Sequence, residues 1–177
     1  MKNKTQLKLF LEGENYKIYE YQPRFSCLFF YEMEKLNWRK RARFLGELIK
    51  KGGYKVYYFY ISDNLVGYCV VSTGGGRYFF AKENEYLVGP YYIDPKYRGN
   101  RYSEFMVSKI LESEKYRHST FYAWIDKNNV PSIRCIERLC FKKRISIDIK
   151  GFTRRMRLRE NFDGQFIVYK YENELLS

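Results

Sequence analysis

An α/β fold built on a mixed, mostly antiparallel sheet is predicted by three features of this sequence. Aromatic residues make up 20% of it, with 19 Tyr and 14 Phe concentrated in extended-looking segments, where flat side chains pack well on a pleated surface. In the second half these segments alternate with stretches of helical periodicity, the pattern of a sheet that carries crossover helices. Towards the two ends they follow one another directly, as hairpins do.

The elements follow in order. Residues 16–22 alternate in the β manner until Pro23 stops them, giving a first strand. Across residues 30–50, Met33, Leu36, Phe44, Leu45, Leu48 and Ile49 recur at helical spacing among charges, and Gly52-Gly53 ends the run. This predicts one helix, or two broken near Trp38. Residues 54–61 and 65–73 are β-rich runs joined by Ser62-Asp63-Asn64, a hairpin signal. The Gly74-Gly75-Gly76 run permits a loose turn, and residues 78–81 read as strand or loop. Residues 86–93 form a strongly apolar strand interrupted by Gly89-Pro90 and closed by Asp94-Pro95. Because proline cannot donate to a ladder, a bulge or a splayed strand is predicted there.

Residues 100–117 place Phe105, Met106, Ile110 and Leu111 on one helical face. A strand is predicted over 121–125, then a helix over 131–139 with Pro131 in its first turn and Asn129 as N-cap. Strands over 142–149 and 166–171 close the chain, with a basic stretch between them. The resulting order is β, α, ββ, β, α, β, α, ββ.

At 177 residues and 21.6 kDa the chain suits a single domain spanning residues 1–177. Its 45% hydrophobic content is too high for intrinsic disorder. The 33 Lys plus Arg against 20 Asp plus Glu give a net charge of +13, a field that attracts polyanions. Nucleic acid, an anionic membrane face and a phosphorylated cofactor all qualify, and a merely solvated Lys-rich surface explains the charge equally well. The charges spread from Lys2 to Lys170, with local peaks at Lys142, Lys143 and Arg144 and at Arg154, Arg155, Arg157 and Arg159. No sequence-specific nucleic-acid motif accompanies them, so nucleic acid is not the favoured partner. Cys27, Cys69, Cys135 and Cys140 lack metal-clamp spacing and His118 is the sole histidine, so no metal site is expected. The LKLFL stretch near the start is too short for a signal or membrane span, so a cytoplasmic protein without a membrane partner is expected.

The segment 93–103, IDPKYRGNRYS, leads from the apolar strand straight into a helix. Unsatisfied N–H groups and the dipole at a helix start favour an anion such as pyrophosphate. Gly99 lets backbone approach closely, and Arg98 and Arg101 add full charges.

This strand, loop and helix resemble the phosphate-binding motif of the GNAT N-acyltransferase family, whose signature is Q/R-x-x-G-x-G/A. Arg98 matches its first position; Arg101 stands in place of the central Gly and Ser103 in place of the last Gly or Ala. If the family backbone at position 101 is left-handed, a side chain there costs about 1 kcal/mol, and the guanidinium is placed to reach a phosphate. Downstream, residues 129–141, NVPSIRCIERLCF, are similar to the family's N-x-x-A/S-I-x-L-Y-E-K-x-G-F segment through Asn129, Ser132, Ile133, Glu137, Leu139 and Phe141, with Arg138 for Lys. The two matches lie in the family's order within a core of about residues 85–143.

The resemblance implies the GNAT fold, with the sheet splayed between the strand before the phosphate loop and the next strand. It implies acetyl-CoA or CoA as cofactor and a primary amine as acceptor; the abundance of aromatic residues, on which a sugar ring or nucleobase stacks, points to a small molecule such as an amino sugar or sugar nucleotide, with a peptide or protein amine as the competitor. Cofactor contacts are expected from Tyr91, Tyr92, Ile93, Arg98, Gly99, Asn100, Arg101, Tyr102, Ser103, Asn129 and Ser132. Main-chain N–H groups around residues 91–93 are implied to hold the thioester carbonyl. Acetyl transfer also needs a base for the amine and a way for thiolate to leave. Glu83 and Glu85 are the carboxylates available, with Glu85, Tyr91 and Tyr92 as catalytic candidates.

Where family members carry a Tyr that protonates the thiolate, this sequence has Ile136. The thiolate then leaves unassisted, or Tyr91, Tyr92 or Cys135 supplies the proton, or turnover has been lost. His118, Cys135, Cys140 and Trp38 are expected to be structural, while Trp124 is packed or borders the cleft. The competing function is a weakened GNAT-fold module that uses its basic surface to bind nucleic acid or another polyanion. A monomer or a homodimer fits either function.

Overall fold

The computed structural model describes residues 6–31, 37–150 and 155–172. Contacts divide it into two compact units, one built on the chain up to Thr73 together with Val88–Lys109, the other on Gly74–Leu87 together with the chain from Ile110 onward.

In the first unit the strand order is β1 (Leu7–Glu12), β2 (Tyr16–Tyr21), β3 (Tyr54–Ile61), β4 (Asn64–Thr73) and the later part of β5 (Tyr86–Ile93). β1 to β4 pair antiparallel in sequence. The β3–β4 turn is made by Ser62 and Asp63 at φ 44° and 62°, the left-handed pair of a tight hairpin whose twist matches the strands. β1 is a strand that periodicity does not predict. Lys8 and Leu9 are both exposed, so the alternation is lost, and a register shift between Leu9 and Leu11 blurs it further.

Helix α1 (Trp38–Ile49) is capped by Asn37, whose side-chain oxygen accepts from Lys40 N at 2.9 Å. It buries Phe44 against Phe29 and Tyr54, with ring centroids 4.9 and 5.1 Å apart. The helix predicted from residue 30 therefore starts later. Met33 and Leu36 lie outside the described residues. Phe30 and Tyr31 belong to an irregular segment that is buried because tyrosines of the sheet satisfy its backbone. Tyr21 Oη donates to Cys27 O at 2.8 Å, Tyr54 Oη donates to Leu28 O at 2.9 Å, and Tyr58 Oη accepts from Phe30 N at 2.8 Å. Local periodicity carries no trace of such long-range partners. Trp38, expected to be packed, is 64% exposed on the first turn of α1.

On the other side of β3, Phe59 meets Tyr102 and Phe105 of α2 (Tyr102–Leu111) at 5.9 and 5.8 Å. The helix is shorter than the predicted 100–117. After Leu111 the chain changes to a short 3₁₀ turn, Glu114–Tyr116, with Ser113 N bonded to Ile110 O at 3.3 Å.

The second unit orders its strands as β5, β6 (Phe121–Asp126), β9 (Phe166–Tyr171), β7 (Lys142–Lys150) and β8 (Arg155–Arg159). β5 and β6 pair in parallel at Tyr86↔Phe121 and Leu87↔Tyr122; the remaining pairings in this unit are antiparallel. From Val88 onward β5 belongs to the first unit, so its parallel register ends just before Gly89-Pro90, where the sequence predicts an interruption. β8 falls in the stretch that the sequence marks only as basic, since RMRLR exposes four of its five residues and hides the β pattern. Residues 78–81 are loop, and Tyr78 and Ala81 from it cover Leu87, Tyr122, Ile147 and Val168.

Helix α3 (Val130–Arg138) buries Cys135 and Ile136. Cys140, expected in the core, is exposed at φ 62°, the left-handed position just past a helix end that glycine usually fills.

Candidate functional site

The end of β5 and the loop after it form one continuous structure within the first unit. Tyr91, Tyr92 and Ile93 are half-buried. The Tyr92 ring stacks on Tyr68 at 6.0 Å and 25°, and the Arg98 guanidinium lies 5.5 Å from the Tyr92 ring centroid. Asp94 N donates to Val66 O at 2.9 Å, fastening the strand end to β4. The Asp94 carboxylate then accepts from Lys96 N at 3.1 Å and starts a 3₁₀ turn, Pro95–Tyr97.

Beyond that turn the chain bends sharply. Arg98 Nε donates to Ile93 O at 3.1 Å, and Asn100 Nδ2 donates to Tyr97 O at 3.3 Å. Gly99 has φ 90° and nothing within 4 Å of where a Cβ would stand, so glycine serves conformation there and leaves the space in front of the loop open. Arg101 also takes a positive φ, 55°, as expected of a family glycine position occupied by a side chain. Its carbonyl accepts the first bond of α2, from Phe105 N at 3.0 Å.

The N–H groups of Gly99, Asn100, Arg101, Tyr102 and Ser103 donate to no group among the described residues. Five successive donors at a helix start, flanked by the exposed Arg98 and Arg101, make a cationic surface suited to phosphate oxygens. The chemistry of this donor set fits the pyrophosphate of a CoA-type molecule.

The remaining expected site residues lie in the second unit. Asn129 caps α3, its side-chain oxygen accepting from Ser132 N at 3.3 Å and its carbonyl accepting from Ile133 N at 3.0 Å. Glu83 is exposed beside Gly75, whereas Glu85 is half-buried and accepts from Lys82 N at 2.6 Å. Tyr122 lies near Glu85, and the Lys170 ammonium stands 5.8 Å from its ring centroid. Burial, with Glu85 adding to it, pushes the Tyr122 phenol above its ordinary value, so it stays protonated.

Tyr122 and Lys170 carry no motif. Only the strand register, Leu87↔Tyr122↔Lys170, brings them to Glu85. Ile136, at the family's acid position, is fully buried and offers no proton. His118 is exposed, and Trp124 packs on Phe166 at 5.0 Å. Among the described residues no cluster of His, Cys, Asp or Glu is arranged for a metal, and no helix is long and apolar enough to cross a membrane.

A mostly antiparallel mixed sheet flanked by helices, with a strand that runs through a Gly-bearing loop into a helix start, defines an acyltransferase-type α/β architecture. Residues 16–141 match the model of the Acetyltransferase (GNAT) family, and the chain belongs to that family. No curated protein matches it. Among solved structures it is similar to the ribosomal-protein-S18-alanine N-acetyltransferase from Escherichia coli, at 12% identity and TM-score 0.54, covering 81% of this chain and 83% of that one. An acetyltransferase from Thermus thermophilus is similar at 11% identity and TM-score 0.54, covering 80% and 78%. The yncA protein from Salmonella typhimurium, solved with its cofactor acetyl-CoA, is similar at 17% identity and TM-score 0.51, covering 78% and 75%. At these identities the likeness is one of fold.

Proposed function

We propose that the protein is an acetyl-CoA-dependent N-acetyltransferase, and the observation that carries this is the row of unpaired N–H groups from Gly99 to Ser103 beside Arg98 and Arg101. In this reading those amides and the two guanidinium groups hold the pyrophosphate, and the end of β5, Tyr91 to Ile93, lies along the pantetheine. When bound, acetyl-CoA supplies the acyl group as a thioester. Asn129 and Ser132, at the start of α3, are assigned to the same cofactor.

Glu85 is the residue assigned to take the proton from the acceptor amine, directly or through a water. It immediately precedes β5, is half-buried, and a hydrogen bond from Lys82 N orients its carboxylate. Glu83, more exposed and without such partners, serves this role less well. With Ile136 buried and apolar, no side chain of α3 is assigned to the departing thiolate, whose low basicity lets it leave as an anion.

The acceptor in this reading is a small primary amine carrying a ring, such as an amino sugar or sugar nucleotide. Its support is a half-buried aromatic surface. Tyr31, Tyr60 and Tyr92 pack on one core cluster of the first unit, with Tyr60 Oη donating to Tyr31 Oη at 2.8 Å, and flat faces edged by hydroxyls suit a sugar ring. The test is thiol release from acetyl-CoA with a panel of amino sugars against a panel of peptides with free N-termini. Turnover with the sugars that is lost in Glu85→Gln supports the reading. Turnover with peptides alone moves the acceptor to a protein amine, and full activity of Glu85→Gln removes the assigned base.

A further inference from the structure

The sheet of the second unit ends in a strand that is paired on one side only. Among the described residues β8 neighbours β7 alone, with Lys150↔Arg155, Asp148↔Arg157 and Ser146↔Arg159 in register. On the free side alternate residues turn their N–H and C=O outward, a template for one more strand. Side chains alternate across a strand, so Arg155, Arg157 and Arg159 share one face and Met156 and Leu158 the other. Met156 packs on the cluster of Tyr78, Leu87 and Val168, whereas Leu158 is 58% exposed. A cavity of about 560 Å³, lined in part by Leu158, Arg159, Glu160 and Asn161, leaves space beside the last residues of this edge.

The cationic face has one carboxylate, and it is already engaged. Asp148 stands opposite Arg157, yet its Oδ2 accepts from Arg159 Nε at 2.6 Å and its Oδ1 from Gln165 N at 2.9 Å. Lys150, Arg155 and Arg157 are exposed and form no ion pair with a described residue. Lys150 faces Arg155 across the ladder, and like charges placed opposite one another are destabilising until an anion joins them. A second copy of this chain does not supply that anion, because β8 laid against β8 sets arginine beside arginine. A phosphate backbone meets the cations but brings no N–H groups for the outward carbonyls and no apolar side for Leu158.

We propose that β8 is a docking edge for an extended acidic segment of a partner protein, one in which Asp or Glu alternates with apolar residues. Its main chain extends the sheet, its carboxylates lie beside Arg155 and Arg157, and its apolar side chains cover Leu158. The site uses none of the residues assigned to acetyl transfer.

The probe is the capped, fluorescently labelled peptide EVEVEVE, titrated with the full chain and read by anisotropy at physiological ionic strength. The peptide EEEEVVV has the same composition and charge without the alternation, and single-stranded oligo-dT serves as the nucleic-acid competitor. EVEVEVE should bind about tenfold or more tightly than EEEEVVV, and Arg155→Glu/Arg157→Glu should lose a similar factor, while Arg155→Lys/Arg157→Lys keeps most of the affinity. On the wild type alone, bound EVEVEVE should slow hydrogen exchange of the β8 amides, as an added ladder requires. Absence of binding, equal affinity for the two peptides, or unchanged exchange of β8 overturns the proposal. So does full affinity in a folded Arg155→Glu/Arg157→Glu variant. Oligo-dT that binds more tightly than EVEVEVE and displaces it assigns the edge to nucleic acid instead.

Discussion

Gly67 of β4 faces the carbonyl oxygen of Tyr92 so closely that a Cβ on Gly67 would stand 2.2 Å from that oxygen. The next Gly67 neighbours, Ile93 Cδ1 and Ile93 Cα at 2.7 and 3.2 Å, close the same space. The strand end that leads into the loop of residues 94–101 is thus seated on a bare stretch of backbone, and the loop's position depends on it.

Gly67→Ala should therefore force β5 away from β4, because the obstructing atoms are mainly backbone. Overpacking of this kind costs about 1–3 kcal/mol. Denaturant unfolding of the variant should show a loss in that range together with weaker acetyl-CoA binding. Wild-type stability would mean that β5 is not held against Gly67.

Arg101 at φ 55° implies a trade-off. Arg101→Gly removes a side chain from left-handed backbone and should offset strain of about 1 kcal/mol, raising the thermal midpoint, while loss of the guanidinium lowers affinity for CoA. Thermal unfolding and calorimetry on the same sample separate the two effects. A variant that is both less stable and binds CoA as well as the wild type contradicts this account of the position.

The Asn129 cap on α3 is open to a simpler test. Asn129→Ala leaves Ser132 N without its 3.3 Å partner and should cost about 1 kcal/mol in chemical denaturation. Asn129→Asp, which keeps an acceptor oxygen, should restore most of it.

Alkaline pH acts on the buried tyrosines. Burial, with Glu137 adding to it, raises the Tyr169 phenol from 10.0 to about 12. Tyr54, Tyr58 and Tyr60 are raised further, again chiefly by burial. In each case the unfolded phenol ionises first. The stability these groups provide is then complete below pH 10 and is lost as pH climbs through the folded values. Absorbance at the phenolate band should show one fraction of tyrosines titrating near the ordinary value and a second appearing only with the unfolding transition. A single smooth titration with the fold intact would refute this.

What the sequence discloses and what it hides divide along physical lines. The hairpin at Ser62-Asp63, the break at Gly89-Pro90 and the Asn129 cap are legible, because each depends on residues within a few positions of one another. The edge strands β1 and β8 are not, since an exposed strand need not alternate and RMRLR looks like charge alone. The buried segment around Phe30 mimics a helix in its periodicity, while its backbone is satisfied by tyrosines 26 to 28 residues away. The same reason hides the placing of Tyr122 and Lys170 near Glu85, which strand register alone produces, whereas the loop from Arg98 to Ser103 is contiguous in sequence.

The most direct test is calorimetric titration of acetyl-CoA into the wild type and into Arg98→Ala/Arg101→Ala. The account predicts one molecule bound per chain, with affinity reduced about tenfold or more in the double variant, as the loss of two charge-assisted contacts requires. Absence of binding to the wild type, or equal affinity in both proteins, would contradict it.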